Sequence, residues 1–234
     1  MVYELAHWVK AKCAFLWDIL EWSNSVVFCV LYHEKLKSID GCLNAGLRAP
    51  YEMQQIQQLD VDKLVDFFAQ QPDEAFRFFR PHGFGKRSIH RIVKNKSFLS
   101  FVLMETHDGK SKIVGYAFMR SFANGTAYRG YMVDANHRGK GLAKMMGAVL
   151  NRVGDTLGLK MYKSISPENI ASMKVTQSVC DIEILKTLDN GDYLIRCMSK
   201  PSMYMNSNIG GGKTLALQFA KLAIVPQNNL CYAA

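Results

Sequence analysis

Beginning at Leu142, the apolar residues fall at Leu142, Met145, Met146, Val149, Leu150, Val153 and Leu157. That is the i, i+3, i+4, i+7 spacing of one buried face of a long amphipathic helix. Elsewhere the rhythm shortens. Runs rich in β-branched and aromatic residues predict strands over 51–56, 97–105, 113–120, 127–133, 160–165, 181–185 and 193–198. Glycine-bearing turns at His107-Asp108-Gly109-Lys110, Asn124-Gly125 and Asp189-Asn190-Gly191 punctuate them. Asp60 is placed to cap a helix carrying Val61, Leu64, Val65, Phe67 and Phe68, with further helical turns over 76–79 and 86–94. Ser166-Pro167-Glu168 reads as another helix start, serine at the N-cap and proline at the first helical position. The order is therefore one strand, helices, three antiparallel strands, the long helix, a strand, a helix and a final hairpin. This α/β unit spans 49–200, with an apolar helical extension over 1–48 before it. A tail over 201–234 follows, with a glycine linker at 210–212 and a short apolar helix over 215–225.

Chemistry enters where the fourth strand runs into the long helix. The strand ends at Val133-Asp134, and the loop His137-Arg138-Gly139-Lys140-Gly141 leads into Leu142-Ala143. The first four backbone N–H groups of a helix have no partner inside it, and the aligned peptide dipoles add about half a positive charge there. Glycines let backbone approach a phosphate without an intervening Cβ, and Arg138 and Lys140 add full positive charge. The combination fits a pyrophosphate. A dinucleotide-binding fingerprint does not fit as well, because Lys144 stands where its third glycine belongs.

The spacing Arg138-x-x-Gly141-x-Ala143, set between strand and helix, resembles the acetyl-coenzyme A pyrophosphate loop of the GNAT acetyltransferase superfamily, and the element order over 51–199 is similar to that family's. The resemblance implies a mixed, mostly antiparallel sheet of six to seven strands flanked by helices. It implies acetyl-CoA as co-substrate, held by Val133, His137, Arg138, Gly139, Lys140, Gly141, Leu142 and Ala143. Asn169 and Ser172 match the segment that meets the pantetheine arm. It further implies direct attack on the thioester by an amine acceptor, with no metal. The Arg80-Pro81-His82-Gly83-Phe84 loop falls where the family builds its acceptor site and resembles, faintly, bacterial members that acetylate amino sugars or polysaccharide precursors. On that topology Glu105, His82 and Tyr131 are the candidate bases. Two positions depart from the pattern. Thr176 stands where many members carry a tyrosine that protonates the departing thiolate, and Cys180-Asp181 replaces a Gly-Phe pair. The first departure leaves open a second reading, a GNAT-fold module that binds CoA or a partner without turnover.

Charge agrees with a polyanionic ligand. The net charge is +9, and residues 111–200 carry 13 Lys and Arg against 7 Asp and Glu. No nucleic-acid-binding motif or arginine-rich run accompanies it, so nucleic acid is not expected as a partner. The six cysteines form no Cys-x-x-Cys pair and no zinc spacing. With no secretory signal, they point to a reducing cytoplasm without structural disulfides. Gly210-Gly211-Gly212-Lys213-Thr214 ends like a nucleotide-binding loop, but Ser207 occupies the place of its first glycine and no strand leads into it.

All three tryptophans, Trp8, Trp17 and Trp22, lie within or beside the apolar run from Cys13 to Tyr32, which Lys10, Lys12, Lys35 and Lys37 flank. The run is long enough to span a membrane, but an acid at the centre of a span costs about 2.5–3.5 kcal/mol, and Asp18 and Glu21 are two of them. Packing onto the α/β unit or onto a second copy of the chain is the expectation. Peripheral contact of 1–48 with a membrane surface stays open.

Overall fold

The computed structural model describes residues 14–200. The glycine linker, the helix expected over 215–225, the nucleotide-loop lookalike and Trp8 lie outside the described residues.

Seven strands form one sheet: β1 (Tyr51–Gln55), β2 (Phe98–His107), β3 (Lys110–Ser121), β4 (Thr126–Val133), β5 (Lys160–Ile165), β6 (Cys180–Thr187) and β7 (Tyr193–Ser199), in the order β1-β2-β3-β4-β5-β7-β6. β1 to β4 are antiparallel neighbours. The β2–β3 turn uses Asp108 and Gly109 at φ 50° and 73°, the left-handed region a tight turn needs. β4 and β5 run parallel, because a helix must carry the chain from the end of one back to the start of the other. They pair only from Thr126↔Lys160 to Tyr128↔Tyr162 and then part.

The helices are α1 (Ala14–Leu31), α2 (His33–Leu36), α3 (Ile39–Leu43), α4 (Val61–Ala69), α5 (Lys86–Lys94), α6 (Leu142–Leu157) and α7 (Ile170–Val179). Period-two alternation along the strands builds a core on each face of the sheet. Phe101, Leu103, Ala117 and Met119 pack with α6 and its Leu142, Met146, Val149, Leu150, Val153 and Leu157. Val102, Met104, Tyr116 and Phe118 pack on the other face with Leu64, Phe67 and Phe68 of α4 and Ile89 and Ile92 of α5. The expected stripe of α6 is thus the buried one, with Met145 at its half-buried margin. Asp60 caps α4 by accepting from the Asp62 N–H.

Two sequence expectations change. The turns expected over 76–79 are a 3-10 helix at Asp73–Phe76. Ser166 is not the cap of α7. Its hydroxyl accepts from Glu168 N–H and its carbonyl from Asn169 N–H, closing a turn one step earlier, and Asn169 caps the helix by accepting from Ser172 N–H at 3.0 Å. Asparagine is as good a cap as serine, and the turn decides between them.

α1 docks with its polar side inward. Glu21 meets Arg120 at 2.5 Å and Asp18 meets Arg91 at 3.7 Å. Asn24 bonds Ser97 Oγ, the Ser121 carbonyl and the Ala123 N–H. Phe28, 0% exposed, is its anchor in the core. Phe15, Leu20, Trp22, Val30 and Leu31 face outward. The acids that argue against a membrane span meet partners in the α/β unit, Glu21 on β3 of the sheet and Asp18 on α5. No helix among the described residues is long and apolar enough to cross a membrane.

Candidate active site

The loop and the fork sit at the same end of the sheet. Gly141 is the N-cap residue of α6 at φ 77° and supplies no side-chain cap, so the first N–H groups of the helix face outward. Gly139 is likewise at φ 79°, and a Cβ added to either glycine would meet nothing within 4 Å. Those positions need glycine for the backbone turn, and they leave room above it. Arg138 and Lys140 are exposed on either side of Gly139.

Below the loop lies a rigid polar brace. Asp134 accepts from Asn136 N–H and from Gln71 Nε2, and Gln71 Oε1 accepts from Ala135 N–H. His137 is buried, its Nδ1 2.7 Å from Asp134 and its Nε2 3.3 Å from Glu105. Burial opposes the charge of Glu105, but hydrogen bonds from Lys112, Tyr51 and His107 prevail and hold its pKa at about 2. A carboxylate that reluctant to take a proton braces the loop and makes a poor base at neutral pH.

β4 offers an open edge to the fork. Asp134 N–H donates to the Val114 carbonyl on β3, and successive N–H groups of a strand point to opposite sides. Those of Tyr131 and Val133 therefore point away from β3, toward the side where β5 has already parted. Pantetheine amides and a developing oxyanion need donors of this kind.

The floor of the fork is cationic. Arg129 of β4 is 3% exposed, and its guanidinium meets Asn151 Oδ1, the Gly147 carbonyl and, at 2.9 Å, Cys180 Sγ. A hydrogen bond from Cys197 and the charge of Arg129 overcome burial and bring the Cys180 thiol down to about 6. Lys163 of β5 is 7% exposed and donates to Ser172 Oγ at 2.9 Å and Thr176 Oγ1 at 3.3 Å. Its Nζ lies 4.1 Å from the Tyr131 ring centroid. Burial lowers its pKa. Among the described residues, neither cation pairs with a carboxylate. The Tyr131 hydroxyl is buried beside Lys163.

The three candidate bases are not brought together. Glu105 belongs to the brace, and Tyr131 lies on the α6 side of β4. His82 is on the opposite face, ringed by Phe68, Phe84, Phe98 and Phe118. Its Nδ1 bonds the Gly83 carbonyl, which can only accept, so Nδ1 carries the proton. Nε2 then accepts from Tyr116 Oη at 2.9 Å, and Ser100 Oγ lies 3.1 Å from that same hydroxyl. Burial lowers the His82 pKa and keeps the ring neutral. Asn169 and Ser172 sit in the first turn of α7 beside Lys163. Lys163 and Arg129 escaped the sequence reading, although each shares a face with core residues: Met161 and Ile165 for the lysine, Ala127 for the arginine.

No curated protein matches the sequence. The GNAT domain of S. lividans PAT superposes with a TM-score of 0.53 at 17% identity, covering 62% of this chain and 89% of that one. Mycobacterium smegmatis RimJ, solved in complex with CoA-disulfide, gives 0.52 at 17% identity over 65% and 83%. The ribosomal-protein-S5-alanine acetyltransferase from Vibrio fischeri gives 0.51 at 15% identity over 67% and 97%. At such identities the likeness is one of fold. The family model for the acetyltransferase (GNAT) domain matches residues 52–179, more than half of the 234. The chain belongs to the GNAT acetyltransferase domain family.

Proposed function

We propose that the protein transfers the acetyl group of acetyl-CoA to the amine of a small molecule, with an amino sugar as the first acceptor to try, by direct attack within a ternary complex. The observation that carries this reading is the alignment of three features at one end of the sheet. They are the uncapped, two-glycine start of α6, the open N–H edge of β4 at Tyr131 and Val133, and the fork between β4 and β5. In it the pyrophosphate rests on 138–143 with His137 bracing the loop from below, the pantetheine arm runs toward Asn169 and Ser172, and the Val133 N–H polarises the thioester carbonyl. Glu105, with its pKa held at about 2, is too weak a base, which leaves His82 and Tyr131 as the candidate bases. We read 49–200 as the transferase unit.

Release of free CoA from acetyl-CoA in the presence of a panel of amines and amino sugars tests the reading. Acceptor-dependent release supports transfer. Tight CoA binding with no release across the panel supports instead the non-catalytic module, which the threonine at 176 leaves open. A second observation bears on partners. The outward apolar face of α1, with Trp22 in it and Lys35 and Lys37 beyond its end, supports peripheral contact of 1–48 with an anionic membrane surface. Pelleting with anionic vesicles tests this, and self-association without pelleting indicates a homodimer instead.

A further inference from the structure

Charges buried in a protein are paired, or they wait for a partner. Lys163 has none. Its ammonium lies in the fork where β4 and β5 separate, donates to two hydroxyls, and stands over the face of Tyr131. Ser172 and Thr176 are neutral, and Thr176 spends its own proton on the Ser172 carbonyl at 2.8 Å. The groups facing Lys163 from the elements around it are Arg129 and Tyr131 of β4, Ser172 and Thr176 of α7, and Cys197 of β7. Of the two cations, Arg129 has Cys180 as its counter-group. Lys163 faces the Tyr131 hydroxyl and an open strand edge.

We propose that Lys163 supplies the positive charge that receives the sulfur of the departing coenzyme A, an inference that rests on the acetyl-CoA reading of the fork. In the transfer, the acceptor nitrogen forms a bond to the thioester carbonyl carbon, and the carbon–sulfur bond breaks with its electron pair going to sulfur. The amine gives its surplus proton to a base or to water. The Lys163 ammonium first neutralises the thiolate and then passes it a proton, and water re-protonates the amine. No oxidant, reductant or metal is needed. A buried ammonium suits the task, because desolvation brings its acidity toward that of a thiol and makes its attraction for an anion stronger than in water. A threonine hydroxyl at 176 is far too weak an acid to protonate a thiolate, yet it can orient the lysine.

The test needs no acceptor. Calorimetry compares CoA with desulfo-CoA, which lacks the sulfur, on the full-length chain from about pH 6 to about pH 8. Wild type should prefer CoA, and the preference should grow with pH by up to about tenfold per unit as the bound thiol ionises beside the ammonium. Lys163→Met should bind desulfo-CoA within a few-fold of wild type and lose both the preference and its pH dependence, and Lys163→Arg should keep a preference. A wild-type chain that binds both ligands equally at every pH overturns the assignment while leaving the coenzyme site standing, as does a preference that survives in Lys163→Met. The wild-type comparison decides even if the Met variant does not fold. Failure of wild type to bind either ligand overturns the acetyl-CoA reading itself and this inference with it.

Discussion

Glu105 Oε2 lies 3.3 Å from His137 Nε2, which ties the end of β2 to the turn immediately before the glycine loop. The same carboxylate takes Lys112 Nζ at 3.1 Å. Its folded pKa of about 2 lies below that of an unfolded glutamate, near 4.3. The folded state therefore binds fewer protons, and the stabilisation is present above the unfolded value and lost as pH falls toward about 2. Glu105→Gln should flatten the fall of melting temperature between about pH 4.5 and pH 2 and leave the neutral-pH pH dependence of activity unmoved. A loss of activity that follows an ionisation near neutrality, and disappears in the Gln variant, would return Glu105 to the role of base.

His82 gives a second acid-sensitive step. Burial lowers its pKa, so the unfolded chain takes up a proton on this ring before the folded one does. Stability should decline as pH falls below about 6.5, and His82→Phe should remove that portion of the decline. A melting profile between about pH 6.5 and pH 5 that is the same in both proteins contradicts the neutral, aromatic-ringed histidine described above.

Arg129 and Cys180 make an unequal pair. Arginine cannot shed its charge, whereas a thiolate left alone can take a proton. Cys180→Ala should therefore leave a buried cation unmatched and cost about 3 kcal/mol or more. Arg129→Met fills similar space without charge and should cost less than the cysteine change does. Chemical denaturation of the two variants reads the order directly, and the reverse order contradicts a thiolate at Cys180.

Much of this was legible in the chain. The stripe of α6, the turns and the strands over 160–165 and 127–133 follow from period and turn chemistry, and the Arg138-x-x-Gly141-x-Ala143 loop follows from its context between them. The fork was legible only as topology. Where β5 parts from β4 depends on pairing across residues far apart in sequence, and no local pattern marks Tyr128↔Tyr162 as the last pair. The cations beneath it left a fainter trace. Lys163 occupies the core parity of Met161 and Ile165, a polar residue where alternation calls for an apolar one. The start of α7 was misread because serine, proline and asparagine all favour helix starts, and only the backbone turn at Ser166 decides which of them caps.

The docking of α1 predicts an inverted response to mutation. Phe28 is fully buried, so Phe28→Ala should cost about 3–5 kcal/mol. Leu20 and Trp22 look outward, and Leu20→Ser or Trp22→Ser should change stability by no more than about 0.5 kcal/mol. Unfolding titrations of the three variants check this. A large loss in the serine variants would place the outward face against protein.

Calorimetric titration of acetyl-CoA into the full-length chain tests the central claim most directly. Wild type should bind. Gly141→Val should abolish binding, because valine resists φ 77° and its side chain would stand in the open space over the loop. Arg138→Ala, which removes one exposed charge and no packing, should weaken binding by about tenfold and make it less sensitive to salt. Wild-type affinity in both variants, each folded with an unchanged melting temperature, would contradict the pyrophosphate site at 138–143.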